Sequence, residues 1–309
     1  MGETPEPSVD AERSDLAPDL MTEYLTDEWG YFIRSKRALA RFESNCQAVE
    51  VHDTAPFGRL FRLDGHFMTS EKDEFFYHEN LVHMAAVTHP HPQQALVVGG
   101  GDGGSAEELL KHPSMRTVAL CEIDSAVIDI SRQYFHAVHH GALDDARVDV
   151  RIGDGLAFVR ESIARYDLIV LDLTDPGGPS APLYTTEFYR ACAARLAAGG
   201  AMTLHIASPV AHPARIRESL AHLREAFSIV TPYLTTIPLY GGMWMMACAS
   251  QTLDPNTLTA AEAQRRIDER SIRDLQYYNG AMHVAALALP NFVRDLVADH
   301  PAPSSKPRA

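Results

Sequence analysis

Acids stand at the ends of four successive apolar runs in the middle of this chain. Asp102 lies inside LVVGGGDGGSAEELLKH (96–112), among Gly99, Gly100, Gly101, Gly103 and Gly104. Glu122 and Asp124 close TVALCEID, Asp154 sits in RVDVRIGDG, and Asp172 and Asp175 fall in LDLTDPGGP. An acid at the end of the second strand of a nucleotide-binding sheet can accept hydrogen bonds from both ribose hydroxyls, which gives Glu122 a task. Asp154 suits an adenine amino group, and the neighbouring Gly155 permits close approach. Together these residues describe a site for an adenosyl group. They do not describe a phosphate site. No Lys-Ser/Thr pair follows the glycines, and an acid stands where a pyrophosphate would lie. Asp102 fits a cation instead. The amino-acid arm of S-adenosylmethionine carries a carboxylate, which an aspartate repels, and an ammonium, which it attracts. Without that carboxylate the ligand is a sulfonium with an aminopropyl arm, and both of its charges suit Asp102. The plainer alternative for each acid is a helix cap, or for Asp102 a solvated turn.

The elements that must position these acids alternate. Apolar runs at ALVV (95–98), TVALCEID, RVDVRIGD, YDLIVLDL and AMTLHIAS read as strands. Between them SAEELLKH, SAVIDISRQYF, LAFVRESI and TTEFYRACAARLAAGG read as helices, the last ending in its glycines. ARIRESLAHLREAF is a further helix, followed by strands near VTPYLTTIP and MWMMACAS. This order predicts an α/β fold with a doubly wound, mainly parallel sheet, whose ligands lie beyond the carboxyl ends of the strands. Ahead of it, DEFFYHENLVHMAAVTHP reads as a helix ending at His89-Pro90. Residues 21–72 alternate like short strands, with Asp64-Gly65 as a hairpin turn, and form a small antiparallel β domain. Residues 73–296 form the Rossmann-like domain. Residues 1–20, rich in Pro and acids, and 297–309 read as disordered tails.

Composition narrows the partners. The net charge of −14 disfavours nucleic acid and anionic membranes and favours cationic ligands. No apolar run is long enough for a membrane helix, and no secretory signal opens the chain. Cys46, Cys121, Cys192 and Cys248 are scattered, as expected of reduced thiols in the cytoplasm. His89 with His91, and His139 with His140, lack a converging third ligand. They read as surface residues, so no metal is expected. MWMM reads as a core strand.

DEFFYHE, GGGDGG, CEID, GDG and DLTDPGGP, in that order, resemble the polyamine aminopropyltransferases, the spermidine synthase family. The likeness runs from about Thr22 to about Pro290 and includes RLDG, THPHP, TIPLYGG and YYNGAMHVAALALP. It implies a methyltransferase-type Rossmann-like fold behind an N-terminal β domain, assembled as a homodimer or homotetramer. It implies Asp172 as general base and Asp175 as a holder of the acceptor amine. It places Tyr77 and Tyr240 in the acceptor pocket, His78 and Asp102 against the aminopropyl donor or the amine product, and Gln47, Glu122, Asp154, Gly155 and Pro179 around the nucleoside. The implied reaction uses no cofactor. Decarboxylated S-adenosylmethionine is a co-substrate, putrescine the acceptor, and spermidine and methylthioadenosine the products.

Two positions depart from that pattern. Met68 in HFMT and His205 in TLHIAS stand where the family commonly carries glutamines near the acceptor. Met68 donates no hydrogen bond and His205 can carry a charge. Agmatine, cadaverine or a triamine therefore remains open as acceptor. A methyltransferase of the same fold and a silent polyamine-binding protein are the other readings, and Asp172 with Asp175 speaks against the second.

Overall fold

The computed structural model describes residues 20–176 and 178–298. The tails expected at 1–20 and 297–309 fall outside them, apart from Leu20, Val297 and Ala298. Strands β1 (Leu20–Thr26), β2 (Trp29–Glu43), β3 (Ala48–Thr54), β4 (Gly58–Leu63) and β5 (His66–Ser70) form an antiparallel sheet in sequence order. Asp64 and Gly65 both take positive φ, 50° and 84°, so the two-residue turn between β4 and β5 has the twist a hairpin needs. β2 is far longer than the short strands expected there.

The second sheet has seven strands in the order β11-β12-β10-β9-β6-β7-β8. These are β6 (Gln94–Gly99), β7 (Thr117–Glu122), β8 (Val148–Ile152), β9 (Tyr166–Asp172), β10 (Leu196–Ala207), β11 (Ile229–Ile237) and β12 (Gly242–Ser250). Only β12 runs against its neighbours, so the sheet is mainly parallel as expected. The helices are α1 (Glu74–Thr88), α2 (Gly104–Leu110), α3 (Ser125–Tyr134), α4 (His136–His139), α5 (Gly155–Glu161), α6 (Thr186–Arg195), α7 (Pro213–Ala226), α8 (Ala260–Glu269), α9 (Gly280–Leu287) and α10 (Asn291–Val297). α6 stops at Arg195, and the glycines expected to close it lie inside β10 instead. The run LAAGG is apolar enough to be buried by either element, and pairing of Leu196 with Tyr166 on β9 decides for the strand.

Side chains alternate across the sheet. Ala95 and Val97 pack with Leu81 and Val82 of α1, whereas Leu96 and Val98 pack with Phe188 of α6 and Ile216 of α7. Each such large side chain, fully buried, contributes about 1.5–3 kcal/mol. α1 is buried along nearly its whole length, which brings its polar residues into the interior, where they need partners. None of the described helices is long and apolar enough to cross a membrane.

Candidate active site

The chain reverses direction across the sheet between β6 and β9, where Gly99 is the register partner of Asp172. A crevice opens there, at the carboxyl ends of the strands. The glycines of the following turn make room for side chains. A Cβ on Gly99 would stand 2.1 Å from the Asp172 carbonyl oxygen, and one on Gly100 would stand 2.9 Å from Asp172 Oδ2. One on Gly101 would meet Glu122 Oε2 at 2.9 Å, and one on Gly104 would run into the His78 ring at 2.3 Å. Gly99, Gly100 and Gly103 also need positive φ. The loop is thus glycine-rich because three functional side chains are pressed against its backbone. Gly155 follows the same logic: a Cβ there would stand 2.4 Å from Val98 Cγ1, and the residue also lines the crevice.

His78 lies at the centre of a buried charge cluster. Its Nδ1 is 2.8 Å from Glu74 Oε2, and its Nε2 is 3.4 Å from Asp102 Oδ2 and 3.8 Å from Asp172 Oδ2. Burial alone would strip the ring of its proton. Asp102, Glu74 and Asp172 outweigh burial and raise its pKa well above the ordinary histidine value. Burial likewise opposes the charge on Asp102, but the His78 cation and the Gly104 amide overcome it and hold the carboxyl below the usual range. Asp172 shifts the other way. Burial and then the nearby Asp102 raise its pKa, and the Ser105 hydroxyl, 2.7 Å from Oδ2, offsets part of the rise. The ligand atoms of His78, Asp102 and Asp172 lie within 4.8 Å of one another, close enough to share one cation.

Two chambers meet beside this cluster. The first is lined by Gln47, Tyr77, His78, Asp102, Glu122, Asp154, Gly155 and Asp172, so it gathers most of the residues expected to hold the nucleoside and the aminopropyl arm. Glu122 accepts from the Asp124 amide, and burial, only partly offset by such bonds, pushes its pKa up to about 7. Asp124 caps α3 through Oδ1 and takes the Gln47 amide on Oδ2 at 3.0 Å. Asp154 caps α5, bonding the Leu156 amide at 2.8 Å. For Asp124 and Asp154 the helix-cap alternative therefore holds alongside a place in or beside the chamber. Pro179 belongs to the short helical turn Gly178–Tyr184.

The second chamber holds Asp175, with Glu23, Tyr31, His205, His212, Arg215 and Trp244. Met68 and Tyr240 line both chambers. Tyr240 donates to the Met68 carbonyl at 2.8 Å, and its ring meets Tyr77 edge-on at 5.8 Å and Trp244 at 5.0 Å. Asp73, at the head of α1, accepts from the Leu239 amide and so ties the Tyr240 turn to that helix. His205 is buried and doubly held: Nδ1 accepts from Trp244 Nε1 at 3.2 Å, and Nε2 donates to the Leu173 carbonyl at 2.7 Å. The Trp244 donor on Nδ1 leaves Nε2 as the nitrogen that donates.

Trp244, read as core from MWMM, walls the second chamber, and Glu74, Ser105 and Arg215 join the site without a signal in the sequence. All four lie in ordinary helical or strand patterns, and only the packing of distant segments brings them here. His89 and His139, expected at the surface, are 6% and 2% exposed, whereas their neighbours His91 and His140 are exposed.

Residues 74–260 match the family model for the spermine/spermidine synthase domain. The chain is 47% identical to a polyamine aminopropyltransferase of Nitrosomonas europaea over 286 residues, covering 93% of this chain and 88% of that protein. It is 39% identical to a polyamine aminopropyltransferase of Moorella thermoacetica, covering 89% and 95% of the two chains. A solved spermidine synthase in complex with the transition-state analogue AdoDATO matches with a TM-score of 0.86 at 35% identity, over 91% of this chain and 97% of that one. The spermidine synthase of Thermotoga maritima matches with a TM-score of 0.85 at 34% identity, over 94% and 99%. The chain belongs to the spermine/spermidine synthase family and is a polyamine aminopropyltransferase, a transferase of polyamine biosynthesis.

Proposed function

We propose that the chain transfers the aminopropyl group of decarboxylated S-adenosylmethionine to putrescine, with Asp172 as general base. The observation that carries this reading is the meeting of two chambers at the Asp172–Asp175 segment: Asp172 faces the first and Asp175 the second. The first suits the adenosyl donor, with Glu122 on the ribose, Asp154 near the adenine and Asp102 on the aminopropyl ammonium. Gln47 and Gly155 line the same pocket, and the family resemblance adds Pro179 to the nucleoside residues. A carboxylate on the donor would meet Asp102 in a buried setting, which supports the decarboxylated form over the intact one and over methyl transfer. The second chamber suits the acceptor, with Tyr240 and Trp244 as ring walls around an alkylammonium chain and Tyr77 behind Tyr240 on the first-chamber side.

The acceptor amine is an ammonium in water and becomes a nucleophile only on losing a proton. Asp172 takes that proton, and its raised pKa makes it a stronger base than an exposed aspartate. The nitrogen lone pair then forms a bond to the methylene beside the sulfonium. The carbon–sulfur bond breaks towards sulfur, and neutral methylthioadenosine leaves. Neither a cofactor nor a metal is needed for this step, because no anion develops on the leaving group. The His78 cation lies between Asp102 and Asp172 and offsets the repulsion of their charges.

Incubation with the donor and a mixture of putrescine, cadaverine, agmatine, diaminopropane and spermidine tests the reading, with mass spectrometry of the products. Aminopropylated putrescine as the main product supports it. Another main product reassigns the acceptor, with Met68 and His205 as the first residues to exchange, and no methylthioadenosine at all overturns it. Asp172→Asn should lower turnover about 10²-fold or more while donor binding persists. Near-normal turnover would remove Asp172 as the base. We also propose a homo-oligomer. Leu20, Tyr24 and Phe32 are exposed, and the pairing of β1 with β2 puts them on one face. Light scattering of a monomer at micromolar concentration would refute it.

A further inference from the structure

Asp175 does not wait in the second chamber alone. Arg215, in the first turn of α7, places Nη1 2.6 Å from Asp175 Oδ2, and both side chains line the chamber. The pair is partly open to solvent, Arg215 28% and Asp175 47% exposed at the side chain. Glu23 across the chamber is also occupied, by the His66 ring and the Phe67 amide, each at 2.7 Å. His212, beside Arg215, has its pKa lowered mainly by burial and adds no lasting positive charge. A chamber that recognises a cation therefore holds a cation of its own on the acid nearest the reacting segment.

We infer that Arg215 is the resident counter-ion of the acceptor chamber, displaced from Asp175 by the distal ammonium of the acceptor, and that it thereby sets the affinity for that amine. The inference rests on the acceptor reading of this chamber but on no particular amine. An ammonium reaching Asp175 gains one ion pair and breaks another. The net attraction is smaller than a free carboxylate would offer. The guanidinium loses little on release, because its exposed side can turn to water. Because an exposed pair of this kind has a small interaction energy, the effect on binding is modest. The same pair disfavours an acceptor ending in a guanidinium, which would bring a second planar donor to a carboxylate where one already sits.

The test is steady-state kinetics of the full chain and of Arg215→Gln, Asp175→Asn and the double variant, with the best diamine acceptor and saturating donor. Arg215→Gln should lower the KM for the diamine about two- to fivefold, leaving kcat and the donor KM unchanged. Asp175→Asn should raise the amine KM. In the Asp175→Asn background, Arg215→Gln should give no further gain, because the group it shields is gone. A purely structural role would show the opposite: removal of Arg215 would raise the amine KM or lower kcat, and either result overturns the inference. An unchanged amine KM in an active enzyme overturns it as well. Lack of turnover on any amine by the unsubstituted enzyme is a different failure, since it removes the acceptor reading and this inference with it.

Discussion

The two chambers hold their charged groups by different means. In the first, side chains are wedged against main chain as well as paired with one another. Asp172 is fitted against Gly99 and Gly100, Glu122 against Gly101 and His78 against Gly104, with no space for a Cβ at any of these contacts. Asp154 is held by the Leu156 amide. In the second, side chains are held mostly by other side chains: Asp175 by Arg215, Glu23 in part by His66, and His205 in part by Trp244. A group fixed by backbone cannot be retuned without moving the turn that carries it. A group fixed by a neighbouring side chain can be exchanged with that neighbour alone. On the proposed assignment, the donor side is therefore the rigid half of the site and the acceptor side the adjustable half. Met68 and His205, the two departures from the pattern the sequence resembles, both line the acceptor side.

The contrast can be broken most directly at Gly104. A Cβ there would lie 2.3 to 2.7 Å from three atoms of the His78 ring, itself clamped by Glu74 and Asp102. Neither the ring nor the turn has anywhere to go. Gly104→Ala should lower turnover about 10²-fold or more by displacing His78 and Asp102. It should also cost about 1–3 kcal/mol of stability from overpacking. Steady-state rates and a urea titration measure both. Near-normal turnover would mean that the donor side is no more rigid than the acceptor side.

Much of this rigid half was legible in the sequence, because its signals are local. The glycine turn, the acid closing each strand and the strand–helix alternation all fall within short windows. Their meaning was less legible. Gly155 reads as room for adenine, and its absent Cβ makes space for Val98 as well. The adjustable half is assembled from β1, β5, β10, β12 and α7, so no window contains it. Trp244 is the clearest case. In MWMM it continues an apolar strand, where it is buried as expected, and only the antiparallel pairing of β10 with β12 brings its indole N–H to His205. The end of α6 was missed for a related reason: a helix closing at glycines and a strand starting at Leu196 fit the same letters, and pairing with β9 chooses.

The rigid half also makes a prediction about pH. Burial lifts the Glu122 pKa to about 7, and in the proposed donor site the ribose hydroxyls take its carboxylate as acceptor. Protonation therefore competes with nucleoside binding. Affinity for methylthioadenosine, a neutral nucleoside that avoids the donor's own charge, should be flat above pH 7. Below it, affinity should weaken towards about tenfold per pH unit, so that a calorimetric titration at pH 5.5 finds it more than tenfold lower. Glu122→Gln should bind less tightly at neutral pH and lose the slope. A slope that survives in Glu122→Gln belongs to another group, and the absence of any slope would show that Glu122 does not meet the ribose.

The smallest expected effect sharpens the adjustable half. His205 performs two tasks that a glutamine can also perform: it accepts from Trp244 Nε1 and donates to the Leu173 carbonyl, the residue next to Asp172. The side-chain oxygen and amide nitrogen of glutamine offer the same pair of roles. His205→Gln should therefore change the amine KM by less than about threefold. His205→Leu fills similar space but leaves the indole N–H and the carbonyl unpaired in a buried place, a loss of about 1–3 kcal/mol for each group that finds no water. Its amine KM should rise about tenfold while the KM for the donor stays put, because Gly99 and Gly100 hold Asp172 from the other side. A donor KM that rises in step with the amine KM would show that the two halves move together, and the contrast between them would then describe their construction but not their behaviour.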